Sequence, residues 1–130
     1  TVGMMENYCI VKADAACIIK AVGNIPKGSY GSESHQKSRV LTMSDRHSSE
    51  VVPILYIDEN DVKASHAMTL GQPDADQLYY LQTRGLNLEQ ALGLMSIGYF
   101  LPVIEQIENK DLREQIQCRV EEKVGLYGHQ

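Results

Sequence analysis

The apolar residues follow two different rhythms, and the change comes near Pro73. Before it, β-branched and large apolar residues come in short runs: Val11, then Ile18, Ile19 and Val22, then Val40 and Leu41, then Val51, Val52 and Ile54 to Ile57. Short runs bounded by turn formers predict strands. The turn clusters are Gly23-Asn24, Pro26 to Ser29, Gly31-Ser32, Ser44-Asp45 and Asp58 to Asp61. Pro53 precedes the Ile54–Ile57 run and suits a strand start, where no ladder donor is lost. Several runs alternate: Val40, Thr42 and Ser44 oppose Leu41, Met43 and Asp45, and Ile54, Tyr56 and Asp58 oppose Leu55, Ile57 and Glu59. The runs are unevenly spaced, and no Asn-Gly or Asp-Gly joins them. Long, uneven connections fit a parallel β-helix or solenoid at least as well as a hairpin meander. Periodicity leaves that choice open.

After Pro73 the period is helical. Asp74 with Gln77 three residues on makes an N-cap and its partner, followed by Leu78, Tyr79 and Leu81. Gly85 supplies a left-handed stop. Asn87 with Gln90 repeats the capping pattern, and Leu88, Ala91, Leu92, Met95 and Tyr99 recur at helical spacing. Pro102 predicts a kink or an end, because it lacks a backbone donor and clashes one turn back. Val103, Ile104 and Ile107 extend the stripe. A third helix opens near Asn109-Lys110-Asp111 and ends at Gly125 or Gly128. Its ladder of Leu112, Ile116, Val120 and Val124 implies packing on a partner surface, within the chain or on another. The predicted organisation is therefore a strand segment over residues 1–73 and a helical subdomain over 74–130.

Composition narrows the function classes. At 130 residues the chain is long enough for one domain or two small ones sharing a core. The net charge of −5 argues against a general nucleic-acid binder, which would carry a basic stripe. No apolar run reaches the ~20 residues needed to span a bilayer, since Ala91 to Ile104 is interrupted by Gly93, Ser96, Gly98 and Pro102. No secretory signal is visible. The cysteines, Cys9, Cys17 and Cys118, are odd in number and form no C-x-x-C. A disulfide scaffold is not expected, the reducing cytosol is the default, and Cys9 and Cys17 read as small buried hydrophobes rather than ligands.

Candidate chemistry is sparse. Gly23 to Gly31 is glycine-rich but lacks the phosphate-binding order, so the chain is not expected to hydrolyse ATP itself. Asp45, His47 and Ser48 bring triad residue types together in sequence, but triads assemble from distant segments, and a polar turn explains them. Asp58 to Asp61 matches a calcium loop only in composition: counted from Asp58, the twelfth position is Thr69, not Glu. His66 sits between the last strand signal and the first helix cap. It could ligate a soft or borderline metal, or bond a backbone carbonyl and fix that junction. His35, His47 and His129 read as solvated. Tyr79 and Tyr80 are adjacent on a helix, so one packs and the other faces outward.

Five motifs, taken together, resemble the SufB/SufD family, the scaffold proteins of SUF iron–sulfur cluster assembly. They are Ile25-x-Lys27-Gly28; Gln36-x-x-Arg39-x-Leu41; Pro53-x-Leu55-x-Ile57; Val62-x-x-x-His66-x-x-Thr69-x-Gly71; and Gln77-Leu78-Tyr79-Tyr80-Leu81-x-x-Arg84-Gly85-Leu86. The resemblance implies the last rungs of a right-handed parallel β-helix followed by a small C-terminal helical subdomain. It implies a cytoplasmic scaffold rather than an enzyme, one that pairs with a SufB/SufD-type chain or with itself as a homodimer. It also implies docking of a SufC-type ABC ATPase on the helices, with Tyr79, Tyr80, Arg84, Leu88, Leu92 and Tyr99 as candidate contacts. By the same analogy His66 is the cluster-assembly candidate, and an iron–sulfur cluster is held at most transiently.

Three departures qualify the analogy. Family chains run to several hundred residues, so this one reads as a C-terminal part or a minimal relative. The strand Leu41-Thr42-Met43-Ser44-Asp45 lacks the cysteine of SufB-type members, which makes the chain more SufD-like. The His66 segment continues with Ala67-Met68, where the family more often has Gly or Glu. A β-helix opened at its first rung exposes apolar surface and strand edges, so self-association is expected. The competing reading is a metal or cluster carrier using His66 and a cysteine. A hydrolase built on Asp45, His47 and Ser48 is a distant third.

Overall fold

The computed structural model describes residues 1–12, 14–44, 46 and 48–125. Asp45, His47, Gly128 and His129, singled out above, lie outside the described residues. The chain divides into two compact units, Thr1–Gln72 and Pro73–Gln130.

The first unit holds five strands: β1 (Val2–Val11), β2 (Ala16–Ile25), β3 (Ser32–Thr42), β4 (Ser48–Ile57) and β5 (Val62–Gly71). Every pairing is parallel, and none joins consecutive strands. The odd strands form one sheet in the order β1-β3-β5, and the even strands form a second, β2-β4. The chain therefore alternates between two sheets. Val2 stands beside Glu33, Ser32 beside Val62 and Ala16 beside Ser48, so successive laps take 31, 30 and 32 residues. That repeat replaces the uneven spacing read from the apolar runs. The runs mark only the most apolar stretch of each strand, and those stretches fall at different heights in successive laps.

Alternate residues point between the sheets. Gln36, Ser38, Val40 and Thr42 of β3 are buried, as are Ala21 and Ile25 of β2. Val40, only 2% exposed, gains roughly 1.5–3 kcal/mol from burial. The outward residues pair along the ladders. Lys63 Nζ donates to Glu33 Oε1 at 2.9 Å, and His35 Nδ1 lies 2.7 Å from Ser65 Oγ. Lys37 sits 3.9 Å from Glu6, and the Arg39 guanidinium lies 5.7 Å from the Tyr8 ring centre. These cross-strand pairs explain how the polar stretch Ser32–Arg39 holds an extended form. They also correct His35, which is engaged rather than merely solvated.

Other strand limits differ from the expectation. β1 begins nine residues before Val11. Gly23 and Asn24 lie inside β2, not in a turn. Pro53 sits within β4 rather than at its start. This is tolerated because β4 pairs on one side only, so one row of donors has no ladder to serve. Two of the expected turns, Pro26 to Ser29 with Gly31 and Asp58 to Asp61, hydrogen-bond to one another. Gly28 and Gly31 take positive φ (92° and 68°), Gly28 N donates to Glu59 Oε2 at 2.9 Å, and Gly31 N donates to the Asp61 carbonyl at 2.6 Å. Backbone donors from Gly28 and then Asn60 hold the Glu59 carboxyl below its usual range. The acidic turn thus spends a carboxylate on backbone donors, that of Gly28 in the neighbouring turn first.

The second unit holds α1 (Ala75–Thr83), α2 (Leu88–Ile104) and α3 (Lys110–Val124). Asp74 Oδ1 accepts from Gln77 N at 2.9 Å. Asn87 and Gln90 form a reciprocal capping box, with bonds of 2.8 and 3.0 Å. Gly85 (φ 96°) and Gly125 (φ 79°) end their helices in the left-handed region, as expected. Pro102 lies inside α2, which ends two residues later. It leaves the Gly98 carbonyl without a helical donor. Ala91, Gly93, Ser96, Ile97 and Ile104 are the buried residues of α2. In the α3 ladder Val124 is buried, Ile116 and Val120 are half-buried, and Leu112 is exposed. No described helix is long and apolar enough to cross a membrane.

Candidate functional site

His66 is not at a strand-to-helix junction. It lies in the middle of β5, directly beside Gln36 of β3, which in turn stands beside Met5 of β1. Periodicity shows no strand here because Ala64-Ser65-His66-Ala67-Met68 contains no β-branched residue. What makes it a strand is the ladder offered by β3, thirty residues earlier.

The register decides which way His66 faces. Residues side by side in a parallel ladder share a face, so His66 shares the inward face of Gln36, and Met68 that of Ser38. Yet β5 is an edge strand. No described strand of the even sheet extends beyond β4 to cover it, so residues on its inward face stay open. His66 is exposed, Met68 is 56% exposed and Leu70 is 51% exposed.

Beneath this open face lies a cavity of about 170 Å³, lined by Gln36, Ser38, Val51, Pro53, His66, Ala67 and Met68. One wall is apolar, from β4. The other carries an amide, a hydroxyl and an imidazole. Gln36 is 3% exposed, and neither Nε2 nor Oε1 of its amide meets a protein partner. A buried amide left unpaired costs about 1–3 kcal/mol, so the cavity favours a polar occupant, water or a small ligand. Ser38 is held from the other side: Asn7 Nδ2 donates to its Oγ at 3.3 Å. Gln36 and Ser38 are absent from the candidates read from sequence. The thirty-residue offset between Gln36 and His66 is the signal that pairs them.

The cavity lining brings no thiol to His66. Among the described residues, no three His, Cys, Asp or Glu side chains gather as metal ligands would. Ser48, the third triad-type residue, is exposed at the start of β4.

The candidate docking residues lie in the helical unit. Tyr79 is 70% exposed and Tyr80 54%. Arg84 donates to the Tyr80 hydroxyl from Nε and Nη2 at 3.2 and 3.1 Å, with its guanidinium 5.2 Å from the ring centre. Both tyrosines face solvent, so the expected split into one packed and one outward does not occur. Leu78 and Leu81, half-buried, pack instead. Leu88 is 52% exposed. Leu92 and Tyr99 are half-buried, and Tyr99 meets Phe100 edge-on at 5.9 Å.

Comparison with known proteins gives these features a context. The family described as "SUF system FeS cluster assembly, SufBD core domain" matches residues 1–99. The chain is 35% identical over 122 residues to the iron–sulfur cluster assembly protein SufD of Bacillus subtilis, covering 94% of this chain and 28% of that protein. It is 31% identical over 100 residues to the chloroplastic protein ABCI7 of Arabidopsis thaliana, covering 75% and 21%. It is 24% identical over 115 residues to SufD of Escherichia coli, covering 88% and 27%. The chain thus spans about a quarter of the length of the curated relatives it matches.

Proposed function

The chain belongs to the SufBD core family of SUF-system iron–sulfur cluster assembly, on its SufD-like side, and from that membership we propose that it is a scaffold component, or the C-terminal part of one. On this reading the strand unit forms the last laps of a right-handed parallel β-helix. The alternation between two parallel sheets, in laps of 30 to 32 residues, supports it. The scaffold works in the cytoplasm and catalyses no reaction of its own. It pairs with another SufB/SufD-type chain, or with a second copy, and docks a SufC-type ATPase on its helices.

One observation carries the proposal: His66 stands exposed on the inward-facing column of an edge strand, above a cavity with an unpartnered Gln36 amide. A pairing chain that covers β5 closes this space. The iron–sulfur cluster is cargo there, held briefly between two chains. His66 contributes one ligand, and the partner contributes the softer ones, since the cavity lining of this chain holds no thiol. That lining favours a shared scaffold over a self-sufficient carrier. The exposed Tyr79, Tyr80 and Leu88, with Arg84 braced on Tyr80, form the ATPase-facing surface. Leu92 and Tyr99 support it from half-buried positions.

The test is anaerobic cluster assembly on this chain mixed with its scaffold partner and the ATPase. His66→Ala should abolish the visible absorbance of the cluster while co-elution with the partner persists. Assembly at the parental rate by His66→Ala contradicts the assignment. A parental chain that builds a cluster with no partner present supports the carrier reading instead.

A further inference from the structure

Two cysteines that the scaffold reading does not use meet between the sheets. Cys9 lies on the inward face of β1, in the column of Val40, and Cys17 lies on β2 beside Ser49 of β4. Their sulfurs are 3.0 Å apart, and both thiols are free. A disulfide bond is ~2.05 Å long, so closure needs about one ångström of approach. Each residue is half-buried, which leaves a path for a small oxidant. The third thiol, Cys118, is exposed on α3 in the other unit.

We propose that Cys9 and Cys17 are a reversible redox pair that a hydroperoxide converts to an intramolecular disulfide, fastening β1 to β2 across the turn between them. Burial, and then the neighbouring Cys17 thiol, push the Cys9 thiol up to about 11. Either sulfur of the pair can open the reaction; taken from Cys17, the atoms balance. Its thiolate attacks one oxygen of hydrogen peroxide, the O–O bond breaks, and the departing hydroxide takes a proton to become water. Cys17 is left as a sulfenic acid. The Cys9 sulfur then attacks the Cys17 sulfur, the S–O bond breaks, and the leaving hydroxide takes the Cys9 proton. Two thiols lose two electrons and two protons, and one peroxide becomes two waters. A dithiol reductant reverses the bond by exchange. The inference stands on the cysteine pair and is independent of the proposed scaffold role.

The experiment treats the folded chain with a small excess of hydrogen peroxide, alkylates it in denaturant and weighs the intact protein. The expected product has lost two hydrogens and carries one alkyl group, on Cys118. Trypsin cuts after Lys12, so the bond appears as two peptides joined through Cys9 and Cys17 and separated by dithiothreitol. Cys118→Ala should leave the reaction unchanged. In Cys9→Ser and in Cys17→Ser, dimedone should trap a sulfenic acid on the cysteine of the pair that remains. Full alkylation of all three thiols overturns the proposal. So does a cross-link that forms equally fast in the urea-unfolded chain, because the folded geometry then contributes nothing.

Discussion

Gly23→Ala tests the packing around Gln36, one of the residues that line the cavity. Gly23 lies in β2 on the inward face, and a Cβ placed there meets Gln36 Nε2 at 2.7 Å, Leu55 Cδ2 at 2.9 Å and Ser34 Oγ at 3.4 Å. The first two distances are too short for any real contact, so the Gln36 amide and the Leu55 methyl must both move. Overpacking of this kind costs about 1–3 kcal/mol. The backbone at Gly23 is extended, without positive φ, so alanine brings no local strain. It also recovers roughly 0.5–1 kcal/mol that glycine loses to chain entropy. The net expectation is a loss of ~1–2 kcal/mol. The chain holds no tryptophan, so urea unfolding is followed by circular dichroism. At a slope of ~2 kcal/mol/M the midpoint falls by roughly 0.5–1 M with the slope unchanged. Gln36→Ala removes one of the two obstructing groups. In that background Gly23→Ala should cost at least ~0.5 kcal/mol less, a coupling expected only for groups in contact. A Gly23→Ala chain as stable as the parent, or the same loss with and without the Gln36 amide, refutes the contact.

Two further predictions probe the separate units. Asn87→Ala removes the side-chain half of the capping box at α2 and should cost ~1 kcal/mol in urea unfolding, while Asn87→Asp should restore most of it; equal stability of all three would contradict the cap. The Lys63 hydrogen bond first, and then the one from His35, hold the Glu33 carboxyl below 4.5, while Glu33 holds Lys63 above 10.5. The depressed Glu33 contributes above its unfolded value and is lost as pH falls through its folded one; the raised Lys63 contributes below 10.5 and is lost as pH rises through its folded value. A carbon-detected titration should therefore find Glu33 below 4.5, returning toward 4.5 in Lys63→Met and at high salt. A Glu33 that titrates identically in both chains would remove the pair from the account.

The helical half was legible because its signals are local. Asp74, Asn87 and Asn109 each cap within three residues, and Gly85 and Gly125 stop their helices by their own backbone conformation. The strand half was legible only where strands are apolar. Val40 and Ile54 announced themselves, whereas β1, the polar half of β3 and all of β5 depend on neighbours about thirty residues away. A lone reading of Ser65-His66-Ala67 shows no period, because it holds no β-branched residue, and what makes it a strand is its ladder with His35-Gln36-Lys37. The same long-range register hid Gln36 as a companion of His66. Nor could spacing foresee Cys9 against Cys17, since their eight-residue separation spans a turn between two sheets. His66 was singled out by its residue type and its place before the first helix cap, and again by motif order, while its position on an open edge came from topology.

The most direct measurement of the central claim, that this chain is a docking scaffold of the SUF machinery, is a calorimetric titration of the SufC-type ATPase from the same source into it. Saturable binding, lost in Leu88→Asp and weakened in Tyr79→Ala with the fold intact by circular dichroism, is the predicted result. A well-folded parental chain that takes up no ATPase, or one whose binding ignores both substitutions, contradicts the account.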